Sequence, residues 1–219
     1  MINDRLIEQT IRGRFPHPIS AAWHRVALTT TNADRIRQLI HCQEVTLRIL
    51  TCLLMPDYLR GEPAPAVENL IQQLDRPSQG HWAGLVREML RSLSHRDSSE
   101  VFFHEAINWY FDSRRRPSVN ARRIELLVQL RNQDQHGAHP SSHVVRERSE
   151  KLHSEQLKLF QSLNWLVGYR LFRVLTVDPS RTGGFRGHLQ FFTGIHPQTE
   201  PIRGKWTAPL IRGSLYLTN

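Results

Sequence analysis

The residues best suited to chemistry lie in one short stretch, 122–139, which reads R-R-I-E-L-L-V-Q-L-R-N-Q-D-Q-H-G-A-H. Its apolar positions return at helical spacing and stop at Arg131, beyond which polar side chains take over. Intervals of four, three and four residues predict that a polar set shares one helical face. The members of this set are Glu125, Gln129, Asn132 and His136. On that face Asn132 can hydrogen-bond His136 and select its tautomer.

Such a group can cleave RNA without a metal ion. A histidine can take the proton of a 2′-hydroxyl, and an arginine can neutralise the charge that grows on the phosphate. Arg131 precedes His136 by five residues, about 140° around a helix, but its long side chain can reach toward the same opening. Gly137 predicts the helix stop, so the helix dipole favours a charged imidazole at His136. The alternative is a solvated helix end with no chemical role.

The elements that must position these residues are mainly helical. Apolar residues return every three or four positions as far as Val167, which predicts a bundle of long helices. Ser78 is a predicted N-cap, Pro56 is predicted to close the long helix over 32–54, and Ser98 or Ser99 is predicted to open a helix. The predicted helices cover about 2–12, 19–29, 32–54, 64–74, 78–94, 98–111, 120–137 and 142–168.

The pattern changes after Gly168. Alternation over Tyr169–Val177 and Phe185–Phe192, separated by a glycine-containing turn, predicts a small antiparallel sheet, and Leu210–Leu217 is a further predicted strand. We therefore expect a helical domain over 1–168 and a small β-rich extension over 169–219. Because the last strand ends two residues before Asn219, we expect the extension to continue in a longer protein; the alternative is a terminus tied into a sheet edge.

Charge and cysteine content limit the class of protein. The formal net charge is +9, and the last 51 residues hold 7 basic and 2 acidic residues, leaving +5. A basic surface suits a nucleic-acid partner, although the scarcity of lysine can reflect genome composition instead. With neither a long apolar run nor a signal-peptide pattern, the sequence predicts no membrane partner and a cytoplasmic location. Cys42 and Cys52, about 15 Å apart along one helix, are expected to be buried free thiols.

Two further groups of residues could bind a ligand. The basic residues Arg114, Arg115, Arg116, Arg122 and Arg123 are candidates for RNA phosphate contacts. Trp109 and Tyr110 lie nearby for base stacking; a solvated loop is the alternative. The histidines at 136, 139 and 143 have some ligand character, but without cysteine or acidic neighbours they predict no metal site.

The stretch Arg131–His136 resembles the R-N-x-x-x-H signature of the HEPN superfamily, whose members handle nucleotides and RNA. The preceding L-L-V-Q-L run and the following Gly137 are similar as well. The likeness covers the helical domain through its helix pattern and only about ten residues through the motif.

The resemblance implies a HEPN-like helical bundle that forms a homodimer, with both copies of the motif at a shared cleft. It also implies a metal-independent endoribonuclease of a bacterial defence or toxin system, leaving a cyclic phosphate and needing no cofactor. Arg131 would stabilise the transition state, His136 would act as general base or acid, and Asn132 takes the polar position beside the arginine. The alternative is a non-catalytic dimerisation, sensing or docking module of a larger protein. A third possibility is plain nucleic-acid binding by the basic extension.

Overall fold

The protein is mainly helical and ends in a small antiparallel sheet, as its sequence predicts. A computed structural model describes residues 4–136, 141–179, 184–204 and 210–218, and the side chains at 98 and 134–136 lie outside that description. The helices within these ranges are α1 (Asp4–Arg14), α2 (His17–Ala27), α3 (Asn32–Leu59), α4 (Pro65–Ile71), α5 (Gln79–Leu93), α6 (His104–Tyr110), α7 (Val119–His136) and α8 (Ser142–Ser162). The strands are β1 (Arg170–Pro179), β2 (Phe185–Phe191), β3 (Gln198–Gly204) and β4 (Leu215–Thr218).

The chain divides into two compact units. One unit, Arg25–Leu163, holds α3 to α8. The other combines Met1–His24 with Asn164–Asn219, so that α1 and most of α2 belong with the sheet. This grouping differs from the division into 1–168 and 169–219 that the sequence predicts.

Backbone hydrogen bonds within the second unit explain why the first helices group with the sheet. The amide of His17 donates to the carbonyl oxygen of Phe192 at 2.8 Å, and the amide of Gly194 donates to that of Phe15 at 2.9 Å. Gly194 has a φ of 69°, a left-handed conformation that glycine adopts without steric cost. Pairings between residues so far apart in sequence leave no periodic signal.

The long helix α3 begins where predicted but does not end at Pro56. The hydroxyl of Thr31 accepts a hydrogen bond from the amide of Asp34 at 3.1 Å and caps the first turn. The helix continues through Pro56 to Leu59. The prediction that Pro56 closes the helix is therefore wrong.

Tertiary contacts explain why α3 tolerates this proline. The buried carboxylate of Asp57 accepts hydrogen bonds from the amides of Phe102 and Phe103 at 2.9 and 3.2 Å. Arg96 donates to the carbonyl oxygens of Asp57 and Tyr58 at 2.6 and 2.9 Å, which satisfies acceptors at the helix end. These bonds hold the final turn and offset the hydrogen bond that proline cannot donate.

Three other helices are shorter than predicted. The helix α4 covers Pro65–Ile71 instead of 64–74. The helix α8 ends at Ser162 and is followed by a 3₁₀ turn, Asn164–Gly168, because the amide of Leu163 already bonds to Phe160 as well as Leu159. Before α6, a 3₁₀ turn occupies Ser98–Glu100, and the α-helix itself begins only at His104.

A buried polar contact joins α3 to α8. With its amide oriented to satisfy both partners, Gln156 donates to the carbonyl oxygen of Leu39 and accepts from the amide of Gln43, both at 3.1 Å. Cys42 on the same helix is buried, and burial raises the pKa of its thiol. Cys52 is exposed, so the expectation of two buried thiols holds only for Cys42.

The sheet has the strand order β3-β2-β1-β4, with antiparallel neighbours throughout. β3 was not predicted because Q-T-E-P-I-R-G has few apolar residues and contains Pro201, which an edge strand accepts more readily than a central one. β4 is shorter than the predicted Leu210–Leu217. One face of the sheet packs an apolar cluster formed by Phe172, Val174, Leu189, Phe191 and Leu210.

Candidate functional site

The helix α7 carries the proposed catalytic residues, and its buried side fixes how it is rotated. Ile124 and Leu127 are buried, whereas Glu125, Gln129 and Asn132 are exposed. The predicted polar face therefore points to solvent at these three positions. His136 is the last residue of α7, and helical spacing places its backbone on the same side. Its side chain lies outside the described residues, so the predicted hydrogen bond from Asn132 stays a prediction.

Arg131 lies on a different side of α7 and is half-buried. Its Nη1 donates to the side-chain oxygen of Asn132 at 3.0 Å. Among the described residues, no carboxylate forms an ion pair with this guanidinium. Asn132 therefore orients this guanidinium, and in the part of the chain whose side chains the structure describes no acid neutralises it.

The basic loop before α7 is a tightly organised turn. The carboxylate of Asp112 accepts hydrogen bonds from the amides of Arg114 and Arg116, each at 2.9 Å, and forms an ion pair with the guanidinium of Arg116 at 3.2 Å. Phe111 and Pro117 form an isolated antiparallel bridge at its base. The hydrogen bonds to the Asp112 carboxyl lower its pKa, the one from the Arg116 amide most, although burial opposes them. The turn is thus held in one shape by its own acid.

Arg115 adopts an unusual backbone conformation in this turn. Its φ of 56° is left-handed, a region in which arginine is disfavoured. Its Nη1 lies 3.0 Å from Nδ1 of His95 on the neighbouring α5 segment. Since a guanidinium can only donate, Nδ1 of His95 must be the acceptor, and the proton of the neutral ring is on Nε2.

The remaining predicted RNA contacts differ in availability. Arg122 is exposed and donates to the carbonyl oxygen of Pro117 at 3.3 Å. Arg123 is instead committed to an ion pair with Glu155 on α8, at 3.1 Å. Both partners of that pair are largely covered, with side-chain exposures of 16% and 18%, so Arg123 is poorly placed to contact a ligand.

The expected stacking of RNA bases on Trp109 and Tyr110 is not supported by their positions. Both side chains are buried, at 6% and 2% exposure. The indole nitrogen of Trp109 donates to Ser162 Oγ at 2.8 Å, which ties α6 to the end of α8. These rings serve the core of the helical unit.

The predicted catalytic and RNA-binding residues occupy opposite ends of α7. Twelve residues separate Val119, where the helix begins, from Arg131, which corresponds to about 18 Å along the axis. A ligand that touches both the Arg114–Arg116 turn and the end of α7 must therefore be extended.

A cleft that sequence reasoning missed lies at the ends of α3 and α5, with a volume of about 840 Å³. Its charged lining consists of Arg60, Arg91, Arg96, Glu62, Glu88 and Glu100, together with His95. The arginines and glutamates balance in number, and Glu88 accepts from both Arg87 and Arg91 at 2.7 Å. The cleft residues come from separate helix ends with no shared motif, so no local spacing could have revealed them.

Of the three histidines at 136, 139 and 143, only His143 has a described side chain. Its Nδ1 lies 3.6 Å from a carboxylate oxygen of Glu147 on α8. His139 lies outside the described residues. Within the described residues no group of three or more histidine, cysteine, aspartate or glutamate side chains has the arrangement of a metal site. No helix in the described ranges is both long and apolar enough to cross a bilayer.

Comparisons with models of protein families, with curated proteins and with solved structures gave no match to this chain.

Proposed function

We propose that this chain is a metal-independent endoribonuclease of the HEPN type, with Arg131 and His136 acting at the end of α7. The main observation in support of the proposal is the environment of the Arg131 guanidinium. Its guanidinium is half-buried, is oriented by the neutral amide of Asn132, and has no ion pair with a carboxylate among the described residues. A cation held in this way is available to a phosphate.

The reaction we assign is an internal transfer at phosphorus. His136 removes the proton of a 2′-hydroxyl, and the resulting oxygen attacks the adjacent phosphorus. The bond from phosphorus to the 5′-oxygen breaks, and that oxygen takes a proton from water as it leaves, while His136 returns its proton to solvent. The products are a 2′,3′-cyclic phosphate and a 5′-hydroxyl. Arg131 stabilises the additional negative charge on the phosphate oxygens in the transition state.

The proposed site is shared between two chains. Positions 131 and 136 are about 140° apart around the backbone of α7, and a site built from two copies does not need the Arg131 side chain to reach around its own helix. Pairing of two α7 helices can bring Arg131 of one copy to His136 of the other. An apolar stripe beside the polar face supports such pairing: Val119 is 56% exposed, and Leu126 and Leu130 are half-exposed.

The proposed setting is the bacterial cytoplasm, in a defence or toxin system, where the chain acts alone or as one module of a longer protein. In this setting Arg114, Arg115, Arg116 and Arg122 contact phosphates of an extended RNA, whereas Arg123 contributes through its ion pair to the position of α7. The turn around Asp112 supports this role because it presents its arginines in one fixed arrangement.

A non-catalytic dimerisation, sensing or docking module is the second candidate. It is favoured by the hydrogen bond between Arg131 and Asn132, because neighbouring side chains at a solvated helix end make the same contact. In that case α7 serves only as a contact surface for a second chain or another protein.

Cleavage of a mixed RNA pool in EDTA separates these candidates. The wild type is compared with Arg131→Ala and His136→Ala, and with two control variants at exposed positions, Arg37→Ala on α3 and His143→Ala on α8. We expect wild type and controls to release fragments with cyclic phosphate ends, and both motif variants to cleave at least about a hundredfold more slowly. Intact RNA with the wild type, or equal cutting by all variants, would reject the ribonuclease and favour the module.

A further inference from the structure

The solvent-facing side of the sheet has a composition different from its apolar side. Residues on this side can be identified from the strand register, in which Arg173 lies opposite Gln190, Thr176 opposite His188, and Arg186 opposite Arg203. All but the half-buried Gln190 are exposed. The one acidic residue on this side in the described strands is Asp178, opposite Arg186.

The pair Arg186 and Arg203 is unfavourable for the isolated protein. Residues directly opposite each other on antiparallel strands have their Cβ atoms about 5 Å apart, and like charges there destabilise the sheet. Neither guanidinium has a hydrogen-bond or ion-pair partner among the described residues, and the same is true of Arg173. The face therefore holds three cations without an ion pair among the described residues, and its one carboxylate, Asp178 opposite Arg186, leaves it with a net positive charge.

The spacing of these cations suits a chain of phosphates. Arg173 lies beside Gln190 on β2, and Gln190 is four residues from Arg186 along that strand. Arg173 and Arg186, at the two ends of the basic face, are therefore about 13 Å apart along the strand direction. Successive phosphates of one strand advance by about 3.4 Å along a helix axis, so the face covers about four nucleotides. His188 and Thr176 lie between the two ends and add hydrogen-bonding groups.

We propose that this face, defined by Arg173, His188, Arg186 and Arg203, binds the phosphate backbone of a nucleic-acid strand. A phosphate between Arg186 and Arg203 converts their repulsion into two charge-assisted hydrogen bonds. In the described strands no phenylalanine, tyrosine or tryptophan lies on this face, so bases have no stacking platform and recognition is independent of sequence. This binding site does not depend on the chemistry proposed for α7.

Arg170 provides a matched control within the same sheet. It lies on the opposite face, where its guanidinium is 3.7 Å from the centre of the Phe191 ring and bonds to Glu200 at 2.9 Å. Replacing Arg170 by glutamine changes the net charge as much as replacing Arg173 or Arg186 does. It removes no charge from the proposed binding face.

The test measures the affinity of the full chain for labelled 20-nucleotide strands over a series of KCl concentrations, by fluorescence anisotropy. Single-stranded DNA is used beside RNA because it has the same phosphates but no 2′-hydroxyl to be cleaved. We expect both to bind the wild type, and the DNA strand, which stays intact, gives the affinity. In the double variant Arg186→Gln, Arg203→Gln, the slope of log affinity against log salt should fall by about 1.4 to 1.8, and binding at 0.1 M salt should weaken about 30-fold.

Arg170→Gln should leave both affinity and slope at the wild-type values. Circular dichroism checks that each variant is folded. We expect the double variant to fold, because it removes the repulsion between Arg186 and Arg203. The proposal is overturned if the wild type binds neither strand at 50 mM KCl or if the double variant binds as the wild type does. It is also overturned if Arg170→Gln weakens binding as much, for the one charge it removes, as the double variant does for each of its two. The change in net charge alone would then explain the loss of affinity.

Discussion

Arg123 on α7 and Glu155 on α8 form an ion pair in which Nε of the arginine lies 3.1 Å from Oε2 of the glutamate. Arg123 also donates to the side-chain oxygen of Asn120 at 3.2 Å, and Lys158 donates to the second oxygen of Glu155 at 2.6 Å. The glutamate therefore has a cation on each oxygen. Together with the buried Ile124 and Leu127, this pair holds the rotation of α7.

The stability contributed by Glu155 should depend on pH. Burial alone would raise the pKa of this carboxyl, but the hydrogen bonds from Lys158 and Arg123 outweigh it, and the pKa is lowered. A carboxylate favoured by the folded state stabilises above its ordinary pKa of about 4.3 and loses that effect as pH falls through the lower folded value. We expect Glu155→Gln to reduce the free energy of unfolding by about 1 kcal/mol at pH 7, and by much less at pH 3.

Urea unfolding at pH 7, 5, 4 and 3 measures this difference. Glu150→Gln is the control. Glu150 is exposed on the same helix, and its ion pair with Arg146 is weak because the two groups are 3.9 Å apart. A difference between wild type and Glu155→Gln that is constant over this range would contradict the ion-pair explanation.

Loss of the proposed catalytic groups should lower cleavage without changing stability. General acid-base catalysis by histidine contributes about 10²- to 10⁴-fold, so His136→Ala should reduce the single-turnover rate by at least a hundredfold. Arg131→Ala should cost about 10²- to 10³-fold, the range observed for a group that stabilises transition-state charge. Arg131→Lys distinguishes charge from geometry: a bidentate contact predicts that lysine restores little activity.

Mixing inactive variants tests whether the site is shared between chains. After exchange of equal amounts of Arg131→Ala and His136→Ala, about half of the dimers contain one chain of each kind. Each mixed dimer has one of its two sites intact if Arg131 and His136 come from different chains. We expect cleavage to recover to about one quarter of the wild-type value. No recovery in a mixture that size measurement shows to have exchanged would place both residues of a site on one chain.

Gly61 is predicted to be needed for the position of Arg96. A Cβ atom at Gly61 would overlap the Arg96 guanidinium, whose hydrogen bonds to Asp57 and Tyr58 close the end of α3. We expect Gly61→Ala to lower the free energy of unfolding by about 1 to 2 kcal/mol, measured in urea. Gly13→Ala is the control, because a Cβ there meets nothing within 4 Å, and it should stabilise α1 by about 0.5 kcal/mol.

A second comparison isolates the mechanism at Gly61. In an Arg96→Ala background, Gly61→Ala should cost almost nothing, because the overlapping group is absent. An equal cost in both backgrounds would mean that the backbone at Gly61, rather than Arg96, determines the effect.

Local periodicity predicted much of the helical pattern. α5 falls within the expected segment 78–94, and its cap at Ser78 is confirmed: the hydroxyl of Ser78 accepts from the amide of His81, whose ring accepts from the amide of Ser78. The helical spacing and the N-cap both depend on residues within one or two turns of each other, so they can be recognised from the sequence alone. The unexpected continuation of α3 past Pro56 depends on Arg96 and on Phe102, which are about 40 residues distant.

The candidate site was predictable only in part for the same reason. The exposed face of Glu125, Gln129 and Asn132 follows from helical spacing alone. The pairing of Arg123 with Glu155 does not, because it joins two helices 32 residues apart in sequence. Counting charges treats Arg123 and Arg114 alike, whereas packing covers most of the Arg123 side chain and leaves Arg114 exposed.

Gly187 should be sensitive to replacement by alanine. The register of β1 and β2 shifts between Val174 and Thr176, and this irregularity brings the Thr176 carbonyl against Gly187 so closely that a Cβ there would overlap the backbone oxygen. Backbone cannot move aside as a flexible side chain does, so we expect Gly187→Ala to destabilise the protein by about 2 kcal/mol. Thermal unfolding followed by circular dichroism measures this loss, with Gly168→Ala as the control, because a Cβ there meets nothing within 4 Å. An unchanged midpoint for Gly187→Ala would mean that the two strands can adopt a different register without cost.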